Sequence, residues 1–280
     1  MTDQTHIREE RLMKLDALSI LLPTIAMVAT VPQIRATAPV QLSADMRQAL
    51  APTGKLRVGV YSGSPTSMIK DRSTGEPRGL AFDLGKEFAQ RLSVAFEAIE
   101  LTQIADVLDA LKRGDVDFTV TNASPARATD VDFSAPILAV ELGYLVPPHS
   151  TIAAIGDVDR PGIRVGVTAG GSSHATLLRE LMHATVVPSP SVTAGIEMLA
   201  GRKVDIYATN KAILFEMSDQ LPGSRVLDGR WGTEVFAIGI PKGRDIGMPA
   251  VRRFAEEARS EGLVRRVAAR AGLRGVLSVE

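Results

Sequence analysis

Arg57-Val58-Gly59-Val60 recurs as Arg164-Val165-Gly166-Val167, and Gly114-Asp115-Val116-Asp117 recurs loosely as Gly201-Arg202-Lys203-Val204-Asp205. In each half an apolar phrase opens a segment, and a helical stretch later ends at a glycine before a second strand that begins Val-Asp. This doubled plan predicts two similar lobes, the second shorter than the first. A cleft between two such lobes is a natural place for a small ligand.

Around the first echo, residues 56–60 read as a strand, and Gly63, Pro65 and residues 71–79 supply turn chemistry. Leu84, Phe88 and Leu92 fall at i, i+4 and i+8, and Ile104, Val107, Leu108 and Leu111 at i, i+3, i+4 and i+7, so two amphipathic helices are predicted. Val116, Phe118 and Val120 alternate as a strand, and a loop at 121–127 follows, with Ser124 and Pro125 suited to start a helical turn. Around the second echo the order is strand 163–167, loop 168–171, helix through Leu177, Leu178 and Leu181, strand near Val186, helix through Ile196 and Leu199, and strand 204–207. After a turn at 221–223, a strand at 235–240 and helical patterns carrying Val251, Phe254, Ala258, Leu263, Val264 and Val267 complete the reading. That closing piece has no echo in the second half, so it is assigned back to the first lobe. Such alternation predicts an α/β fold with parallel sheets and ligands gathered at the carboxyl ends of strands.

Composition narrows the function. The 280 residues are 45% hydrophobic and 23% charged, enough for one or two ordinary cores. Lys+Arg and Asp+Glu are each 32, and the basic residues form no stripe along which a phosphate backbone would run, so nucleic acid is not an expected partner. With no cysteine, disulfides, thiolate catalysis and zinc–cysteine sites are excluded together. His6, His149, His174 and His183 do not cluster, and no metal or other cofactor is expected. Ahead of the first echo, Lys14 precedes an apolar run at 18–29, and Ala36 and Ala38 suit a cleavage point. The run is shorter than a span of about 20 residues, so residues 1–38 read as a secretory signal, with a retained anchor and then a structural helix as the alternatives. Residues 39–52 are expected as a linker, 53–142 together with 236–280 as lobe 1, and 143–235 as lobe 2.

In order and spacing, the first Arg-Val-Gly-Val phrase, Gly79-Leu80-Ala81-Phe82-Asp83-Leu84, Leu111 through Asp117, Asn122-Ala123-Ser124-Pro125-Ala126-Arg127 and Val131-Asp132-Phe133-Ser134-Ala135-Pro136 resemble the family 3 extracellular solute-binding proteins. These are the ligand-capturing components of polar amino-acid ABC importers. The resemblance runs from about Gly54 to Gly272. It implies a two-lobe periplasmic-binding-protein type II fold in which two crossing strands join lobes that close on a ligand, with a hinge near 141–146 and 234–237. It also implies a monomeric periplasmic protein whose macromolecular partner is an ABC permease in the inner membrane.

The resemblance places Arg127, at the end of a Ser/Thr-x-x-Arg motif, on the ligand's carboxylate, and a guanidinium offers two parallel donors that match one. Asn122 stands where a small hydroxyl residue usually touches the ligand; its amide can donate to a carboxylate or accept from an amine. Gly170-Gly171-Ser172-Ser173 joins a strand to a helix start, where free N–H groups and the helix dipole favour an anion. Ser172 matches the position that completes the carboxylate clamp, with Gly171 and Ser173 beside it. The loop lacks the Gly-Lys-Ser/Thr ending of a nucleotide-binding P-loop. Thr119, Ile104, Tyr61 and Ser64 complete the expected set: Ile104 and Ser64 stand about where aromatics often stack on the ligand, and Tyr61 or Trp231 is available to supply a ring.

One departure bears on the ligand. Where amino-acid binders carry an aspartate for the ligand's ammonium, this chain has Asn210. A neutral amide forfeits the charge-assisted part of such a bond, roughly half its strength. A small carboxylate-bearing solute is expected, with amino acids, keto acids, hydroxy acids, small dicarboxylates and amides all open. The rival class is a periplasmic dehydratase-like enzyme on the same fold, which needs a positioned acid or base. Glu141 and Glu234, near the crossing strands, are the available carboxylates.

Overall fold

The computed structural model describes residues 42–277, and the expected signal at 1–38 lies outside the described residues. Helix α1 (Ala44–Leu50) leads into strand β1 (Lys55–Tyr61), the small hairpin β2 (Ile69–Lys70) and β3 (Pro77–Arg78), helix α2 (Leu80–Leu92), strand β4 (Ala95–Leu101), helix α3 (Ile104–Arg113), and strands β5 (Thr119–Asn122) and β6 (Val131–Phe133). Strand β7 (Leu138–Val146) leads into β8 (Arg164–Thr168), α4 (Ser172–Glu180), β9 (Thr185–Ser189), α5 (Val192–Ala200), β10 (Ile206–Asn210), α6 (Lys211–Gln220) and β11 (Arg225–Val226). Strand β12 (Gly232–Pro241) returns, followed by α7 (Met248–Ser260), α8 (Leu263–Arg270) and β13 (Val276–Leu277).

The echoed phrases are the opening strands β1 and β8. β1 runs parallel to β4 and forms a bridge from Val58 to Phe118, the residue just before β5, while β8 runs parallel to β9 and β10. β7 and β12 are antiparallel, with Gly232 opposite Leu142 and Phe236 opposite Leu138. Each also pairs beyond that region: β12 with β5 and β6, β7 with β10 and β11. The result is the α/β, two-lobe architecture that the doubled sequence implies, with the lobes joined through this strand pair.

Separate cores explain why there are two lobes. In the first, Phe88 packs on Phe118 and Phe254 with ring centroids 5.6 and 4.7 Å away, so α7 seals the core that β5 and α2 begin. In the second, Tyr144, Val165, Val167, Leu177 and Ile206 gather on one side of the sheet, and Leu145, Tyr207, Leu214 and Met217 form another cluster. The glycine of each echo marks a close approach. A Cβ on Gly59 would lie 3.0 Å from Val107, and one on Gly166 would lie 2.7 Å from the Tyr207 ring.

Several segments differ from the sequence reading. The expected linker contains α1, capped by Ser43, whose hydroxyl accepts from Met46 N–H at 3.1 Å, and anchored by the fully buried Leu50. Strand β4 is an edge strand with Glu97 and Glu100 in its sequence, so it lacks a clean apolar alternation. Helix α6 buries Ala212, Ile213 and Leu214 in succession, which hides a single helical stripe. The second strand of each lobe also begins later than expected, at Thr119 and Ile206, because the Val-Asp pairs serve the turns before them.

Candidate functional site

A cavity lies where the carboxyl ends of β1, β5, β8 and β10 meet the amino-terminal turns of α3, α4, α5 and α6, with β12 as its floor. This is where ligands collect in α/β sheets. Among the expected residues, Tyr61, Ile104, Asn122, Arg127, Gly171, Ser172, Ser173 and Asn210 line it. Two do not. Thr119 is buried and its hydroxyl donates to Gly59 C=O at 2.8 Å, tying β5 to β1. Ser64 is buried behind Tyr61, its hydroxyl 3.3 Å from the Tyr61 Oη and 2.8 Å from the Thr66 Oγ1, so it positions the ring.

Arg127 opens a 3-10 turn, Arg127–Thr129, whose start is held by Ser124: Arg127 N–H donates to the Ser124 Oγ at 3.3 Å. Its guanidinium donates through Nη1 to Thr121 Oγ1 at 2.7 Å and to Asn122 C=O at 3.3 Å, which aims the group along the end of β5. Neither partner is charged. Burial lowers the arginine's pKa from its ordinary value, opposed by the negative field of Glu234. Burial raises the Tyr61 phenol, with Ser64 and Arg127 working the other way, so the ring presents a neutral hydroxyl. Across the cleft, α4 begins at Ser172 after Gly171, and no side chain caps it. A helix cap at Ser172 or Ser173, which the loop sequence allows, is not formed: both lie inside the first turn, and their amides are among those without intrahelical acceptors.

Asn210 is placed differently from its expected role. It is the N-cap of α6, its Oδ1 accepting from Ile213 N–H at 3.1 Å, and its Nδ2 donates to Glu234 Oε2 at 3.4 Å. Ser172 Oγ donates to the other oxygen, Glu234 Oε1. Glu234 is therefore the carboxylate of the cavity, buried on β12 and oriented by two residues of the second lobe. From sequence it stands only as a hinge or enzyme candidate, because a residue on a crossing strand carries no motif. Thr121, Thr168, Thr209, Val192, Ile213 and Phe236 also line the cavity and were missed. Thr121 and Thr168 open the loops expected at the carboxyl ends of strands, a position that could have flagged them.

The remaining candidates lie elsewhere. Glu141 accepts from Lys211 Nζ at 2.7 Å and from Arg230 Nη1 at 2.8 Å and does not reach the cavity; those two cations hold its pKa below the ordinary value. Trp231 packs on Tyr144 and donates to Gly143 C=O at 2.9 Å. His174 Nδ1 accepts from Gly170 N–H at 3.4 Å. Among the described residues no group of His, Asp or Glu is arranged to hold a metal. The two sides of the cleft also touch: with its amide nitrogen facing the second lobe, Gln103 donates to Ala169 C=O and Pro190 C=O, each at 3.1 Å.

The profile of the bacterial extracellular solute-binding proteins, family 3, matches residues 56–271. A glutamine-binding protein of Geobacillus stearothermophilus is 28% identical over 194 residues, 68% of this chain and 73% of the relative. Among solved structures, a solute receptor for L-cysteine from Neisseria gonorrhoeae superposes with a TM-score of 0.74 at 20% identity, covering 83% of this chain and 99% of that one. An ancestral amino acid-binding protein, AncCDT-1, a precursor of cyclohexadienyl dehydratase, gives 0.69 at 21% identity, with 80% and 98% covered.

Proposed function

Because the chain belongs to the bacterial extracellular solute-binding proteins, family 3, we propose that it captures an amino acid between its lobes for delivery to an ABC permease. Arg127 and the free amides at the start of α4 hold the ligand's carboxylate, and Glu234 takes its ammonium. The observation that carries this reading is the presence of one cation and one carboxylate in the same cavity, Arg127 from the first lobe and Glu234 from β12. The charge that Asn210 lacks is supplied by the residue Asn210 orients. A ligand that touches both lobes favours the closed arrangement by its differential affinity. Export from the cytoplasm, by cleavage within the first 38 residues, and a monomeric state are part of the proposal. Among the described residues no helix is long and apolar enough to cross a membrane.

Calorimetric titration with an amino acid, its 2-keto acid and its 2-hydroxy acid tests the assignment. Arg127→Ala abolishes binding of all three while the circular dichroism spectrum stays that of the parent; a variant that binds as tightly as the parent sinks the site. Glu234→Gln weakens the amino acid by about 10- to 100-fold, since a hydrogen bond to a charged group contributes about 1.5–3 kcal/mol, and leaves the keto acid unchanged. The dehydratase-like alternative retains Glu234 as its acid or base, because Glu141 is engaged by Lys211 and Arg230. Turnover of a hydroxy acid would favour it.

A further inference from the structure

The charge inventory of the cavity carries the amino-acid reading one step further, to the ligand's side chain, and depends on that reading. The lining holds two charged groups, Arg127 and Glu234, and every other wall residue is neutral. An amino acid's carboxylate and ammonium use both. The next cation toward the second lobe, Lys211, is committed to Glu141 outside the cavity, and Lys112 is paired with Asp130 on the far side of Arg127. A charged ligand side chain would therefore be buried with nothing to pair it, an arrangement folded proteins avoid.

The neutral walls narrow the class further. Ile104, Phe236, Val192 and Ile213 line the cavity, all buried and all apolar. Most hydroxyls of the cavity are already engaged inside the protein: Thr121 accepts from Arg127, Thr168 is 2.9 Å from Tyr207 Oη, and Tyr61 donates to Ser64. Asn122 and Thr209 keep side-chain hydrogen-bonding capacity for a ligand. We infer that the ligand is an amino acid with an uncharged side chain, and that arginine, lysine and glutamate are excluded.

Titration calorimetry of the full chain with alanine, serine, threonine, cysteine, valine and glutamine against arginine, lysine and glutamate decides between the classes. At least one member of the first group is expected to bind 100-fold or more tighter than every member of the second. Tightest binding by arginine, lysine or glutamate overturns the side-chain inference and leaves the amino-acid reading standing. Absence of binding by any amino acid, with a keto or hydroxy acid bound instead, overturns both. A second arm tests the physical cause. Ile104 occupies the first turn of α3, where an acidic residue is compatible with the helix dipole. In a folded Ile104→Asp variant, lysine or arginine affinity rises at least 10-fold. A folded variant without that gain, beside a parent that excludes both cations, shows that charge pairing is not what excludes them and overturns the inference as stated.

Discussion

The two lobes close their opening strands with the same clamp, set in different surroundings. In the first, Arg57 grips Asp117 through Nε at 2.8 Å and Nη2 at 2.7 Å, its own N–H reaches the same carboxylate at 3.0 Å, and Nη2 also donates to Gly114 C=O at 2.7 Å. In the second, Arg164 grips Asp205 at 3.0 and 2.8 Å, adds its N–H at 2.8 Å, and reaches Arg202 C=O at 2.8 Å. The Asp117 side chain is completely buried and carries a second arginine, Arg244, at 2.8 Å; the Asp205 side chain is 32% exposed. The closing segment, which only the first lobe receives, supplies Arg244 and makes the difference. Identical motifs thus encode identical geometry, while their contribution to stability depends on what the rest of the chain lays over them.

Breaking the buried clamp has the largest expected effect. Asp117→Ala leaves two arginines facing each other with no carboxylate between them, which costs about 3–5 kcal/mol and lowers Tm by about 10 °C in a protein of this size. Asp205→Ala lowers Tm by less than half as much, because solvent screens the pair it removes. Equal losses would mean that burial by the closing segment is irrelevant to the clamp. The same variant has a pH signature. The hydrogen bond from Arg164 holds the Asp205 pKa below its ordinary value. Its contribution is therefore fully present above the unfolded aspartate value, about 3.9, and is lost as pH falls through the lower folded value. The gap in Tm between parent and Asp205→Ala is widest at pH 7 and narrows below pH 4 in melts across that range. A gap that persists unchanged at low pH would show that lost packing, not the ion pair, is responsible.

The smallest effect corrects the alignment of the echoes. Gly114, in the left-handed region at φ 75°, gives its carbonyl to Arg57, and the residue that does this for Arg164 is Arg202, at φ 53°, not the adjacent Gly201. An L side chain in that region is strained. Arg202→Gly relieves it and raises Tm by about 2 °C. A fall in Tm instead would mean that the side chain makes a stabilising contact outweighing the strain.

What could be read from the residues, and what could not, divides along the range of the interactions. Periodicity and paired motifs are local, so the α/β class, the two lobes, most helices and the loop ends bearing Arg127 and Ser172 were legible in the chain alone. Asn210 was legible as a departure from the family pattern and illegible as a helix cap, because the same asparagine signals both roles. Helix α6 and strand β4 escaped because one is buried on more than one side and the other lies at an edge, which erases the single apolar stripe that periodicity detects. Glu234 was legible only as a carboxylate near a crossing strand, not as part of the ligand cavity. Its carboxylate enters the cavity only because β12 pairs antiparallel with β7 and brings it against Ser172 and Asn210, residues far from it in the chain. Charge pairing of that kind depends on distance in space, and the pairing of the crossing strands, not any motif in the chain, sets that distance.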